Sequence, residues 1–226
     1  MSKIILGYWN LRGRAEPIRH MLEYAGVALE ERRYKLSGAP PNIEGKEWFD
    51  VKPTMGLDLP NIPYIIDGDV KMTQGFAIMK YLGKKFGLSP TTAEEIRRCD
   101  VVEGATRDLW IAFGMMCYDL KTFEVSKKKF LEETNPAFLE AFRNFLGDFK
   151  WVAGDKMTYM DFMLCEVLDC VVTMDPGNLD QNPAVKKYLE RFLAIDKIAA
   201  YRESKRFMKM SVYGPWAAWG GKNSVQ

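Results

Sequence analysis

The amino-acid sequence predicts an α/β domain followed by an all-helical domain. Strand and helix signals alternate over the first 86 residues, Pro90 then interrupts the chain, and only helical patterns follow. The order β-α-β and then β-β-α implies a small sheet that is covered by helices. We therefore expect two domains, at residues 1–86 and 87–226.

Each element of the first domain follows from a local signal. Pro17 lies near a helix start, and Gly26 suits the position just past that helix. Asp67-Gly68 lies between two short apolar runs and predicts a hairpin. Glycines and prolines over 38–63 indicate a long irregular connection. The predicted order is strand 4–8, helix 16–25, strand 31–36, strands 64–67 and 70–73, and helix 74–86.

The second domain contains helical patterns alone. Thr92 with Glu95, and Thr158 with Asp161, have the spacing of capping boxes at helix starts. The segment that follows Thr158 is apolar on most faces, which predicts the centre of a helical core. The predicted helices cover 96–118, 127–149, 158–172 and 183–204.

Composition excludes several classes of function. The chain has 226 residues, of which 47% are hydrophobic and 27% are charged, a balance typical of a soluble globular protein. Lys and Arg number 32 against 30 Asp and Glu, so the basic excess of a nucleic-acid-binding protein is missing. No apolar run approaches the ~20 residues of a membrane span. The first residues show no secretory pattern, so we expect no membrane partner and a cytoplasmic location.

Cysteine and histidine usage argues against metal, disulfide and histidine chemistry. The four cysteines form no C-x-x-C pair and all lie beyond residue 98, so we expect reduced thiols. A structural zinc site needs four closely spaced Cys or His ligands, so no metal is predicted. The only histidine, His20, lies in a helical stretch, and we expect it on the helix surface.

Three features of the first domain indicate a ligand site. Tyr8 lies at the carboxyl end of a strand, where α/β sheets bind ligands. Asn61-Ile62-Pro63 precedes a strand, and a cis bond there would present backbone groups to a peptide. Thr73-Gln74-Gly75 begins a helix, whose N–H groups and dipole favour a carboxylate. A tyrosine at a strand end is more often a packing residue, and each feature alone can also be explained by turn formation. Together they describe a groove for a small extended peptide with a carboxylate.

Motifs along nearly the whole chain match one known family. They are GYWNLRG at 7–13, EPIRHMLEYAG at 16–26, GLDLPNIPYIIDGDVKMTQ at 56–74, the Asp108–Tyr118 spacing, the Gly154 to Asp161 box and SKRF at 204–207. On these motifs the chain resembles the cytosolic glutathione S-transferases and is similar to their mu class.

The resemblance implies a thioredoxin-like glutathione-binding domain, a helical domain with the electrophile site and the dimer contacts, and a homodimer. It implies a transferase that uses glutathione as co-substrate, needs no metal, and detoxifies small hydrophobic electrophiles by conjugation. The hydroxyl of Tyr8 would hydrogen-bond the glutathione sulfur. Glutathione would be held by Tyr8, Trp9, Trp48, Lys52, Asn61, Ile62, Gln74 and Gly75, with Asp108 contributed by the partner subunit. The electrophile would face Asn10, Arg14, Tyr118 and the tail at 208–211.

Four positions depart from the mu pattern. Gly45 replaces an arginine, for which Lys46 is a candidate substitute, and Leu59 replaces an aromatic residue at a dimer contact. Gly75 replaces a serine whose hydroxyl would bind the γ-glutamyl carboxylate. Arg14 replaces an apolar residue, and it either adds positive charge near the thiolate or is an ordinary surface residue.

Two classes of function stay open at this point. The first is the enzyme, and the alternative is a non-enzymatic protein of the same fold that carries apolar ligands or has a structural role. Thiol–disulfide exchange is disfavoured because the first 98 residues contain no cysteine. The sequence does not identify the electrophile.

Overall fold

The structure is a computed structural model, and it describes residues 3–221, so the outermost residues of both predicted domains lie outside the described part. Its main sheet has four strands in the order β2-β1-β5-β6. Strand β1 runs parallel to β2 and antiparallel to β5, and β5 and β6 form the predicted hairpin. The strands are β1 Ile4–Trp9, β2 Leu29–Tyr34, β3 Ser37–Ala39, β4 Asn42–Glu44, β5 Tyr64–Asp67 and β6 Val70–Thr73.

Helices make up the rest of the fold. The predicted architecture, an α/β domain with a helical domain after it, is confirmed. The helices are α1 Glu16–Ala25, α2 Lys46–Val51, α3 Gly75–Lys85, α4 Ala93–Tyr118, α5 Phe123–Lys129, α6 Asn135–Leu146, α7 Tyr159–Met174, α8 Pro183–Leu193 and α9 Asp196–Glu203. Helices α1 and α3 both contact α7, which joins the two parts of the chain.

The two faces of the sheet bury different side chains. Ile4, Leu6 and Tyr8 alternate along β1 and lie in the main core. On the other face, Trp48 and Tyr64 stack with their ring centroids 5.8 Å apart. A Cβ atom at Gly7 would lie 2.1 Å from the Tyr64 ring, so only glycine fits there. This close approach allows α2, which carries Trp48, to pack against the sheet.

Two predicted helices are interrupted, and one predicted loop contains regular structure. The predicted helix 127–149 is formed by α5, a π-helical turn and α6, and it ends at Leu146. The predicted helix 183–204 is divided between α8 and α9, because Ile195 adopts an extended conformation with ψ 120°. The predicted irregular stretch 38–63 contains the β3–β4 hairpin and α2.

The core of the helical domain is centred on α7, as predicted. Every residue of α7 from Tyr159 to Val171 is buried. Both predicted capping boxes are present: Thr92 pairs with Glu95 at the start of α4, and Thr158 pairs with Asp161 at the start of α7. The four cysteines are buried and free. Within residues 3–221, no helix is long and apolar enough to cross a membrane.

The prediction that His20 lies on a helix surface is wrong. Its side chain is 1% exposed, and neither ring nitrogen has a hydrogen-bond partner within the described residues. Rings of Phe192 and Tyr201 meet the imidazole edge to face. Helix α1 is covered by α3, α7 and α9, so a second face of it is buried. Burial lowers the pKa of His20 to about 4, and the ring is therefore neutral at neutral pH.

Candidate functional site

Two adjoining cavities open around the carboxyl end of β1. One has a volume of about 890 Å³ and the other about 520 Å³, and Tyr8, Trp9 and Arg14 line both. The larger cavity brings together all but one of the residues predicted to bind glutathione. They are Tyr8, Trp9, Trp48, Lys52, Asn61, Ile62, Gln74 and Gly75.

The Tyr8 hydroxyl accepts one hydrogen bond from the protein backbone. The backbone N–H of Arg14 donates to the Tyr8 oxygen at 3.2 Å, and no second partner is found within residues 3–221. Burial raises the pKa of Tyr8 above its ordinary value of 10.0, although the N–H and the charge of Arg14 oppose this. The phenol is therefore protonated at neutral pH and can donate a hydrogen bond into the cavity.

The turn after β1 is built around this hydroxyl. Gly13 has a φ of 41°, and a Cβ atom there would lie 2.7 Å from the Tyr8 oxygen. A larger residue would therefore be strained and would displace the hydroxyl. The turn is also held from the far end of the chain, since the N–H groups of Arg12 and Gly13 donate to the carbonyls of Ser211 and Val212 at 2.7 and 3.0 Å. The sequence analysis did not identify this contact.

Two short backbone segments form another wall of the larger cavity. The Ile62–Pro63 bond is cis, and Gln74 has a φ of 72° immediately before α3. The Asn61 side chain accepts a hydrogen bond from the N–H of Ile62 at 2.9 Å. A Cβ atom at Gly75 would meet no atom outside its neighbours closer than the Arg14 carbonyl, at 3.5 Å. Position 75 therefore has room for a larger side chain.

Helix α2 brings Trp48 and Lys52 to the larger cavity. Lys52 follows the last residue of α2, and Trp48 is only 2% exposed. Gly45 has no room for a side chain, because a Cβ atom there would lie 2.7 Å from the Trp9 ring. Lys46 does not substitute for the missing arginine, because its side chain is 85% exposed and pairs with Asp50.

The second cavity is lined mainly by aromatic and aliphatic side chains. It is lined by Trp9, Phe49, Trp110, Tyr118, Tyr213 and Trp216, together with aliphatic residues and Arg14. The Arg14 guanidinium lies 5.9 Å from the Trp110 ring centroid, within cation–π range. The Tyr118 oxygen accepts a hydrogen bond from the N–H of Gly214 at 2.8 Å. Flat apolar molecules would fit this cavity, and Arg14 borders it on the side of Tyr8.

Two predicted site residues are found elsewhere. Asn10 lines a separate small hollow with Ser211 and Tyr213 rather than the aromatic cavity. Asp108 is exposed on α4 and lines neither cavity of its own chain. Other residues that were not predicted as ligand contacts also line the larger cavity, among them Phe76, Lys80, Glu103 and Arg107. They lie on α3 and α4. Charged residues along a helix ordinarily indicate a face exposed to solvent, so the sequence does not mark them as ligand contacts.

Comparison with known proteins identifies the family. A model described as the N-terminal domain of glutathione S-transferase matches residues 5–84, and a model described as the C-terminal domain matches residues 107–205. The chain belongs to the glutathione S-transferase family, whose enzymes are transferases.

Within the family, the chain is similar to the mu class. It is 42% identical to glutathione S-transferase Mu 1 of Homo sapiens over 219 residues, which are 97% of this chain and 99% of the relative. It is 40% identical to glutathione S-transferase Mu 3 of Homo sapiens over 221 residues, 98% of this chain and 97% of that one. The crystal structure of the glutathione S-transferase Blo t 8 superposes with a TM-score of 0.85 at 31% identity, covering 97% of this chain and 100% of that chain.

Proposed function

We propose that this protein conjugates the thiol of glutathione to small hydrophobic electrophiles, with the Tyr8 hydroxyl stabilising the thiolate. One observation carries the proposal: a buried, protonated phenol with a free proton lies where a polar cavity meets an aromatic one. A tripeptide in the larger cavity would bring its sulfur to Tyr8, and an electrophile in the smaller one would meet it there. In a cytoplasmic protein this reaction would serve detoxification.

The magnitudes are sufficient for this mechanism. A thiol of pKa ~8.5 is only a few per cent ionised at neutral pH. Lowering that pKa below ~7 takes about 2 kcal/mol of selective thiolate stabilisation, and one hydrogen bond to a charged group supplies about 1.5–3 kcal/mol. The proton stays on the phenol, because burial raises the pKa of Tyr8. One hydrogen bond from Tyr8 would therefore be enough to activate the thiol.

The lining of the larger cavity includes groups that suit both carboxylates of glutathione. Lys52 would bind the glycine carboxylate as a point charge at the end of α2. The N–H groups at the start of α3 would bind the γ-glutamyl carboxylate near Gln74 and Gly75. Asn61 and Ile62 also line this cavity, beside the cis proline, where an extended peptide can pair with backbone groups.

The test of the proposal is a conjugation assay with a generic aryl halide, with and without glutathione. The enzyme is expected to form the thioether only when glutathione is present, at a rate well above the uncatalysed reaction. A protein that binds glutathione or apolar ligands but conjugates none of several electrophiles would contradict the proposal. That outcome would favour the alternative, a non-enzymatic ligand carrier of the same fold.

We also propose a homodimer in which each site borrows Asp108 from the partner. Asp108 is exposed outside its own cavities, so its carboxylate is free to reach a neighbouring chain. An apolar groove between α4 and α6, lined by Val101 and Phe138 among others, is unpartnered, and Leu59 is 72% exposed. A second copy would cover both features. Light scattering at micromolar concentration is expected to give about twice the chain mass of 26.0 kDa.

Subunit mixing tests the shared site. The Tyr8→Phe and Asp108→Ala homodimers are each expected to have low conjugation activity. If Asp108 acts across the interface, a mixed dimer has one intact site, in which Tyr8 of one subunit meets Asp108 of the other. Co-expression with two different affinity tags isolates these mixed dimers, and their activity is compared with the mean of the two homodimers. Activity no higher than that mean, or a fully active monomer, would contradict the shared site.

The substitution Gly75→Ser is expected to tighten glutathione binding by about three- to tenfold, since a serine hydroxyl adds a charge-assisted hydrogen bond to the γ-glutamyl carboxylate. The space for it exists, because a Cβ atom there makes only ordinary contacts and the φ of Gly75 is not positive. The thiol pKa should change little, because the sulfur that Tyr8 would bind belongs to the middle residue of the tripeptide and not to its γ-glutamyl end. Isothermal titration of the mutant and the parent measures the change, and equal or weaker binding in a folded Gly75→Ser protein would contradict it.

A further inference from the structure

The wall of the larger cavity beside the start of α3 carries an unbalanced positive charge. Glu103 accepts a hydrogen bond from Arg107 at 3.0 Å, and its other carboxylate oxygen lies 2.8 Å from the ammonium of Lys80. All three side chains line the cavity. Two cations share one carboxylate, so the group keeps one net positive charge. An anionic ligand group at this wall would complete the charge balance.

Arg107 is held in a position from which it can bind such a group. Its guanidinium lies 4.5 Å from the ring centroid of Phe76, which is the residue after Gly75. Stacking on an aromatic face fixes the plane of a guanidinium while leaving its N–H edges open. The side chain is 50% exposed, and its only hydrogen bond within residues 3–221 is the one from Nη2 to Glu103. Of the five N–H donors of an arginine, four are then available.

We infer that Arg107 binds the α-carboxylate of the γ-glutamyl residue of glutathione and replaces the hydroxyl that is absent at Gly75. The inference rests on the proposed function, which places this carboxylate at the start of α3. Two other cations line this cavity, but the proposed function assigns Lys52 to the glycine carboxylate, and Arg14 is shared with the aromatic cavity. A guanidinium can pair with a carboxylate through two parallel N–H bonds, which a lysine cannot do. Phe76 is then the platform that positions the guanidinium.

The expected effect is a selective loss of glutathione affinity. Arg107→Met should weaken glutathione binding about tenfold, which corresponds to about 1.4 kcal/mol. The control ligand is γ-aminobutyryl-cysteinylglycine, which is the same tripeptide without the α-carboxylate. Its affinity should change by less than about twofold in Arg107→Met, because it lacks only the group that Arg107 binds. Isothermal titration of both tripeptides to both proteins gives the four dissociation constants.

Two further variants separate binding from structure. Arg97→Met removes an exposed arginine of the same helix that pairs with Glu94 and lines neither cavity, and it should leave both affinities unchanged. In the double variant, Gly75→Ser should restore part of the glutathione affinity that Arg107→Met loses, because the serine hydroxyl and the guanidinium would bind the same carboxylate. The gain in affinity from Gly75→Ser should therefore be larger in Arg107→Met than in the parent.

Each outcome has one meaning. An Arg107→Met protein that binds glutathione as tightly as the parent, or that loses affinity for both tripeptides equally, would overturn the inference, since the second result indicates a general change in the cavity. A parent protein that binds neither tripeptide would overturn the proposed function itself. Melting temperatures of all variants show whether each one is folded.

Discussion

Tyr8→Phe is expected to lower turnover by roughly one to two orders of magnitude, because it removes about 1.5–3 kcal/mol of thiolate stabilisation. The substitution takes away one oxygen and leaves the ring in the core, so the fold and the affinity for glutathione should be nearly unchanged. The pKa of the bound thiol, read from thiolate absorbance in the ultraviolet, should rise toward ~8.5 or above. Turnover and thiol pKa are therefore expected to change together.

The control for this experiment is Tyr24→Phe. Tyr24 lies on α1, packs against Phe162 and lines neither cavity, so the loss of its hydroxyl should alter neither quantity. A thiol pKa that stays the same in Tyr8→Phe would remove Tyr8 from the role. Arg14 would then be the first residue to test, since its guanidinium carries the positive charge beside the same junction.

Arg12→Met is expected to destabilise the fold by about 3–5 kcal/mol, because it leaves the buried Glu166 carboxylate without its arginine, whereas Asp169 keeps its pair with Arg202. Arg12 is fully buried, and its guanidinium donates to both oxygens of Glu166, at 3.1 and 2.9 Å, and to Asp169 at 2.6 Å. Burial alone would lower the pKa of Arg12, but the two carboxylates outweigh it and raise that pKa well above its ordinary value. Urea unfolding of mutant and parent measures the difference.

A surface ion pair provides the matched control. Lys186 pairs with Asp180 at 2.8 Å, with side chains 46% and 55% exposed, and Lys186→Met should cost less than about 1 kcal/mol. If Arg12→Met does not fold at all, Arg12→Lys replaces it, because lysine keeps the charge but loses the paired geometry. Its loss of stability should exceed about 1 kcal/mol and therefore that of Lys186→Met. Losses equal to that of Lys186→Met would contradict a structural role for the buried cluster.

Local signals predicted the parts of the fold that local chemistry determines. The hairpin 64–73 and both capping boxes were predicted residue by residue, because a turn dipeptide or a cap needs only its neighbours. The break at Ile195 was not, since no glycine or proline marks it. The burial of His20 was missed for a related reason: it depends on α7 and α9, more than a hundred residues away.

The candidate site shows the same division. Tyr8, Asn61 and Gln74 stand in short motifs at strand and helix ends, and the structure brings them to one cavity. Arg107 lies in a helix whose charged residues resemble an ordinary solvated face, and only the approach of α4 to α3 gives it a cavity to line. The order of residues in the chain does not reveal a contact of this kind.

The contact between the turn after β1 and the far end of the chain sets an order of events during synthesis. Gly13 leaves the ribosome early, but the Val212 carbonyl that it binds follows 199 residues later, which is roughly 10–40 s at typical rates of translation. Throughout that interval the sheet can form while the turn around the Tyr8 hydroxyl lacks its support. A nascent or truncated chain that stops before residue 211 would therefore have the strand that carries Tyr8 but not the completed turn. The proposed ability to activate a thiol would then be acquired among the last steps of making the protein.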